Sequence, residues 1–274
     1  MIKKYKLGLI GCGNMGKAIV QGVLASDVAS EKEVAVSVHT QASCEKLTGE
    51  LGCFVTTDNT QVAGESEILI LAVKPYQLSD VLAQIRESIA ADQLVISVAA
   101  GRSLQSIEEG LMTIEVAGRL KVARAMPNTP ARVGESMTAV CVNAHMEQTD
   151  ADRVLRIFNS FGSAQLVDES MMDVVTGVSG SSPAFIYMIM EAMADAAVKN
   201  GMPREQAYQF VSQTVLGSAK MLRDTGMHPG VLKDAVTSAG GTTIAGVCAL
   251  EKAGIRDAMI SGIDAAIKRA RELG

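Results

Sequence analysis

Tryptophan is absent from the 274 residues, and phenylalanine and tyrosine together bring the aromatic share to only 3%. Stacking of bases on aromatic rings, a common grip on single-stranded nucleic acid, has little to work with here. Basic charge is not in surplus either. The 25 Lys and Arg stand against 30 Asp and Glu, a net charge of −5 with no long run of one sign, whereas nucleic-acid binders usually show a basic face. No nucleic-acid partner is expected. Long apolar runs are also missing: residues 183–198 form the most apolar stretch, but Glu191 and Asp195 interrupt it and it is too short to cross a bilayer. The opening Met1-Ile2-Lys3-Lys4-Tyr5-Lys6 runs into a strand-like segment broken by glycine, which is not a secretory apolar core. No membrane partner and a cytoplasmic location are therefore expected. Cys12, Cys44, Cys53, Cys141 and Cys248 are odd in number, scattered and without a C-x-x-C pair, which argues against a disulfide framework and against a zinc site. No metal is expected.

What is present is apolar mass of another kind, with 48% hydrophobic residues, 15 methionines and 25 glycines. The length exceeds one average domain and favours two. Short β-branched runs alternate with helical segments from Lys6 onward: 6–10, 34–38, 68–73, 94–99 and 122–125, with weaker candidates at 138–142 and 164–167. Several are apolar on both faces, as buried parallel strands are. From Ser170 on, strand signals vanish and helices follow one another, punctuated at Pro183, Gly201-Met202-Pro203, His228-Pro229-Gly230, Gly240-Gly241 and Gly254. The expected fold is α/β: an N-terminal Rossmann domain, doubly wound around a mainly parallel sheet, over residues 1–165, and an all-α domain over 166–274. Helices as apolar as 183–198 in so small a domain call for a covering surface, so a homo-oligomer built through the C-terminal helices is expected.

Gly11-Cys12-Gly13-Asn14-Met15-Gly16 fits G-x-G-x-x-G, follows the strand 6–10 directly and opens a helix near Asn14. In that context Gly11 permits the tight turn, Gly13 lets backbone approach a pyrophosphate, and Gly16 lets helix and strand pack closely, with the helix N-terminus facing the anion. The end of the second strand normally separates the two nicotinamide cofactors, because an acid there binds the ribose 2′-hydroxyl and repels a 2′-phosphate. Here the segment reads Ser37-Val38-His39-Thr40-Gln41. No carboxylate stands there, and His39, Thr40, Gln41 and Ser43 offer donors, so NADP(H) is favoured with NAD(H) as the alternative. The strand ends at Ala72-Val73-Lys74-Pro75 and Ala99-Ala100-Gly101 are expected to flank the nicotinamide ribose, and Asn59 and Asn128 join the candidate cofactor contacts.

Two helix starts in the second half offer exposed N–H groups: Ser179-Gly180-Ser181-Ser182-Pro183 and Thr237-Ser238-Ala239-Gly240-Gly241-Thr242-Thr243. Ser181 reads equally well as an N-cap or as a site residue. Consecutive glycines before a helix free N–H groups for an anion, and Thr242 and Thr243 add hydroxyls, making a carboxylate pocket without a cation.

These residues carry a resemblance over the whole length. The run 232–246 continuing to Leu250-Glu251, together with Ala72-Val73-Lys74-Pro75, Met126-Pro127-Asn128-Thr129-Pro130 and Val178-Ser179-Gly180-Ser181, resembles the pyrroline-5-carboxylate reductases. Two positions depart from that family's pattern: Ala239 where it usually has proline and Ser182 where it usually has glycine. The resemblance implies NAD(P)H-dependent reduction of the cyclic imine Δ1-pyrroline-5-carboxylate to L-proline, a small-molecule substrate. It also implies an interlocked dimer, with assembly into a decamer as an option, and a site shared between subunits. On this basis the substrate carboxylate is expected on N–H groups near Gly240, Gly241 and Thr242, by charge-assisted bonds worth about 1.5–3 kcal/mol each. Thr243 is expected to bond the ring nitrogen, and Ser181 to line the pocket. None of His39, His145 and His228 stands where an acid is needed, which leaves solvent or a prebound iminium as the proton source. Two alternatives remain: a dinucleotide sensor of the same fold without turnover, and a β-hydroxyacid dehydrogenase. The latter is disfavoured because residues 183–198 contain no lysine before Lys199.

Overall fold

The structure, a computed structural model, describes residues 3–273; Met1 and Ile2 of the basic opening segment and Gly274 lie outside the described residues. Eight strands form one sheet: β1 (Tyr5–Ile10), β2 (Val34–Ser37), β3 (Phe54–Thr56), β4 (Ser66–Leu71), β5 (Leu94–Ser97), β6 (Lys121–Met126), β7 (Ser136–Val142) and β8 (Gly162–Leu166), in the order β3-β2-β1-β4-β5-β6-β7-β8. All pairs are parallel except β6 with β7. This is the doubly wound arrangement expected, and its strand order reverses between β1 and β4.

The helices are α1 (Asn14–Leu24), α2 (Gln41–Leu51), α3 (Asn59–Glu65), α4 (Leu78–Ile85), α5 (Leu104–Leu111), α6 (Gln148–Asn159), α7 (Met172–Val175), α8 (Ser182–Lys199), α9 (Arg204–Thr225), α10 (Pro229–Ala235), α11 (Thr242–Lys252) and α12 (Ile255–Leu273). Short polar caps start several of them: the Thr40 hydroxyl accepts from Ser43 N at 3.2 Å before α2, and the Asp58 carboxylate accepts from Thr60 N at 2.8 Å before α3. β3 was not among the strands read from the sequence, since three residues following a glycine give no periodicity. The fourth strand ends at Leu71, two residues earlier than expected; the Ala72 N–H still donates to the Ile10 carbonyl of β1 at 2.8 Å, and the chain then passes into a short 3-10 turn begun by Pro75.

Apolar clusters fill both faces of the sheet. On one face α1 lies over Phe161, so closely that a Cβ at Gly22 would come 2.5 Å from the Cβ of Phe161. Phe158, fully buried, meets the Phe161 ring edge-on with centroids 5.8 Å apart. Phe161 thus backs the last turn of α1, and Phe158 packs on Phe161.

The described chain divides into two compact units, one running to Gly180 and including the residues from Ala266 on, the other spanning 181–265. The first continues past the last strand because Met172 is buried in a sheet-face cluster and Val175 packs against it. In the second unit only Ala194, Ala207 and Val211 are buried apolar residues, whereas Tyr187, Met188, Phe210 and Leu216 are each more than half exposed. Among the described residues no group of three or more His, Cys, Asp or Glu could hold a metal ion, and no helix is long and apolar enough to cross a membrane.

If the Phe158–Phe161 pair seats α1, Phe158→Ala should destabilise the protein by about 3–5 kcal/mol, read by urea unfolding. A loss below about 1 kcal/mol, no more than an average point mutation costs, would mean the ring is not a principal support.

Candidate active site

At the point where strand order reverses, a groove of about 730 Å³ opens beside the carboxyl ends of β1, β2 and β4. Its floor is the glycine loop. Gly11 holds φ +89°, the left-handed region that a side chain rarely tolerates, and a Cβ there would also lie 2.7 Å from Val73. Gly13 faces open space, with nothing within 4 Å of a built Cβ, so its surroundings leave room for a ligand to approach the backbone. Gly16 does neither; a Cβ there would lie 2.3 Å from the Gly11 carbonyl oxygen. Gly11 thus makes the turn and Gly16 allows the close packing, while the space at Gly13 is open. Gly13 N-caps α1 without a side chain, so no capping group covers that helix's first amides.

Of the residues singled out from the sequence, Gly11, Gly13, Asn14, His39, Asn59, Ala72, Val73 and Lys74 line this groove, as does Ser43. Asn59 belongs to a hydrogen-bonded row in its wall: the buried Ser37 hydroxyl donates to Asn59 Oδ1 at 2.6 Å, and Asn59 Nδ2 donates to Gln84 Oε1 at 2.8 Å. Met15, Gly16, Thr40, Pro75, Ala99, Ala100 and Asn128 are not among the lining residues. Met15 packs on the core, Thr40 serves as a cap, and Ala99 is buried. Asn128 is buried, its Oδ1 accepting from the Met137 N–H and the Ser136 hydroxyl and its Nδ2 donating to Ser179 O.

Sequence reasoning overlooked the charged wall of the groove. Lys17 on α1 donates to the Glu50 carboxylate on α2, and Lys46 lies 3.9 Å from the same carboxylate. All three line the groove, two cations about one anion. The Lys17 hydrogen bond holds the Glu50 carboxyl below its usual value. The i,i+4 spacing of Lys46 and Glu50 was a legible signal, but nothing in the sequence placed that helix face toward Lys17. Burial pushes the Cys12 thiol up to about 11, so this loop cysteine stays protonated near neutral pH and offers no nucleophile.

The second donor set stands by itself at the start of α11. Gly240 adopts φ +67°, and Gly241 precedes the helix with no side chain capping it. The Gly241 N–H is already engaged by the Ser238 carbonyl at 3.1 Å. The amides that point out of the first turn are therefore those of Thr242, Thr243 and Ile244. Thr242 and Thr243 are exposed. Ser181 does not cap α8 through its side chain; it closes a π-helical turn over Thr176–Ser181.

Residues 169–273 match the family described as pyrroline-5-carboxylate reductase dimerisation, and residues 6–101 match that described as NADP oxidoreductase, coenzyme F420-dependent. Pyrroline-5-carboxylate reductases of Methanosarcina acetivorans and Escherichia coli are each 44% identical to the chain, the first over 100% of it and 99% of the relative, the second over 98% of both. Among solved structures, the reductase of Coxiella burnetii superposes with a TM-score of 0.90 at 32% identity over 99% of both chains. That of Plasmodium falciparum, solved with NADP bound, gives 0.86 at 30% identity over 100% of both. With the glycine loop and the α11 start both intact within a match of full length, the chain belongs to the pyrroline-5-carboxylate reductase family.

Proposed function

We propose that the protein reduces L-Δ1-pyrroline-5-carboxylate to L-proline with NADPH, NADH serving as the alternative donor. The observation that carries this is the full-length match at 44% identity to relatives named for that reaction, in a chain that keeps both donor sets. The groove residues fit a dinucleotide: Gly13 leaves room for a pyrophosphate against backbone, and the uncapped start of α1 faces it. No acid follows β2, and Lys17 and Lys46 outnumber Glu50 in the wall, a balance that favours the extra charge of a 2′-phosphate. The structure of the Plasmodium relative with NADP bound points the same way. When bound, the nicotinamide supplies a hydride for the imine carbon.

The chain's own part is binding, orientation and exclusion of water. The amides of Thr242, Thr243 and Ile244 would take the substrate carboxylate, with Gly240 and Gly241 keeping the backbone free of side chains, and the Thr243 hydroxyl would bond the ring nitrogen. A protonated imine is already electrophilic, so positioning is the main demand; it supplies about 7–11 kcal/mol in well-oriented intramolecular reactions. Ser181 lines the substrate side, and the remaining cofactor contacts proposed are Met15, Gly16, Thr40, Pro75, Ala99 and Ala100 around the groove residues named above. The working unit is a homodimer, open to further assembly into a decamer, formed through the C-terminal helical domain from residue 166. The exposed Tyr187, Met188, Phe210 and Leu216 would supply its apolar face. We assign the enzyme to the cytoplasm, in keeping with five free cysteines.

Oxidation of NADPH and of NADH, followed separately at a range of imine concentrations with proline measured as product, tests this function. Imine-dependent proline formation is expected with both, at the higher kcat/KM for NADPH; cofactor binding without turnover would make the protein a sensor. Thr243→Ala should lower kcat about 10-fold, the worth of one hydrogen bond in the transition state, while NADPH affinity stays unchanged; a matching loss of NADPH affinity would remove Thr243 from the substrate side. Gly13→Val should weaken NADPH binding at least about 10-fold by blocking the pyrophosphate without lowering Tm, because no protein atom lies within 4 Å of the new Cβ. Normal affinity in that variant would contradict the phosphate-loop assignment.

A further inference from the structure

Between α7 and α8 the backbone leaves the α-helical register and forms a π-helical turn over Thr176–Ser181. Such turns occur mostly as single insertions in helices, frequently at functional sites. The cause stands four residues ahead of Ser179. In an α-helix the Ser179 carbonyl would accept from the N–H of residue 183, but residue 183 is proline, which has no N–H and whose ring collides with the carbonyl four residues earlier. Neighbouring carbonyls are covered from within the helix: the Thr176 hydroxyl donates to Met172 O at 2.8 Å, and the Ser179 hydroxyl to Val175 O at 3.1 Å. The Ser179 carbonyl is covered from outside.

Its donor is Asn128, 51 positions earlier, whose Nδ2 lies 3.0 Å from Ser179 O. The amide cannot serve the other way round. Its Oδ1 accepts from the Met137 N–H at 3.0 Å and faces the Ser136 hydroxyl at 3.4 Å, and a backbone N–H can only donate, which fixes the NH2 toward Ser179. Asn128 is buried, two residues after β6, and both its oxygen and its NH2 group bond to protein.

We infer that Asn128 is a positioning residue: by standing in for the N–H that Pro183 lacks, it holds the turn that ends in Ser181 in the shape the substrate side requires. This rests on the reductase function proposed above and departs from the sequence-based placing of Asn128 as a cofactor contact. Its effect runs through backbone, with no contact to substrate or cofactor.

The test is Asn128→Asp, which keeps an acceptor for Met137 N–H and removes the donor to Ser179, alone and combined with Pro183→Ala, which returns an N–H to position 183. Asn128→Asp should lower kcat for the imine about 10- to 100-fold, the range a small misplacement costs, with NADPH Kd by fluorescence titration unchanged. Amide hydrogen exchange over residues 180–185 should quicken. The double variant should regain most of the lost rate and the slow exchange. Wild-type turnover in Asn128→Asp, a parallel loss of NADPH affinity, or a double variant no better than the single one would overturn the inference. Should Asn128→Asp fail to fold, the double variant is expected to fold and turn over, and its failing alike would count equally against it. If the wild type reduces no imine, the proposed function falls, while hydrogen exchange still decides the role of Asn128.

Discussion

Helix α1 comes so close to the end of β1 that a single methyl group on Gly16 would lie 2.3 Å from the carbonyl oxygen of Gly11. That approach cannot be relaxed locally, since Gly11 is itself held at φ +89° with Val73 and Ala72 around it, and Phe161 packs against α1 at Gly22. Phe161 backs the last turn of the helix at Gly22, and backbone at Gly11 and Gly16 fixes its first turn. Its amides then face the gap where the sheet order reverses, and the groove follows: Ala72 and Val73 from the end of β4 form one wall, His39, Ser43 and Lys46 beyond β2 the other. The anion site proposed there would thus follow from close packing, with the electrostatics of a helix terminus added to it.

Both donor sets in this chain are built from backbone amides preceded by glycine, and neither includes an arginine. In the proposed function, negative charge is met by partial charges held rigidly, with Lys17 and Lys46 in the groove wall sharing Glu50. A fixed amide cluster loses no side-chain entropy when it binds, which suits a reaction in which orientation is the main requirement. The same economy governs the π-helical turn, where the donor denied to the Ser179 carbonyl by Pro183 comes from a buried side chain already fixed by two other partners.

Much of the first unit was legible because its signals are local. The glycine loop sits directly between a β-branched run and a helix, and β1, β2, β5 and β6 are apolar on both faces, so their existence follows from residues a few positions apart. Where the argument needed distance, it thinned. β3 has three residues and gave no pattern; the Lys17–Glu50 pair joins two helices 33 positions apart, and Asn128 reaches Ser179 across 51. No periodicity encodes such pairings. The proline at 183 was visible, and its four-residue spacing from Ser179 could have announced a displaced carbonyl, but not which side chain would cover it. In the α11 loop the Ser238 carbonyl takes the Gly241 amide, a turn bond that composition does not reveal.

The central claim is that this chain brings a hydride from a nicotinamide to the carbon of a cyclic imine acid, and labelled cofactor tests it most directly. Turnover of Δ1-pyrroline-5-carboxylate with NADPH deuterated at C4 of the nicotinamide, run separately with each C4 epimer, should give L-proline carrying one deuterium on the ring carbon next to nitrogen from one epimer and none from the other. Proline free of label from both, or NADPH consumed without proline, would contradict the account.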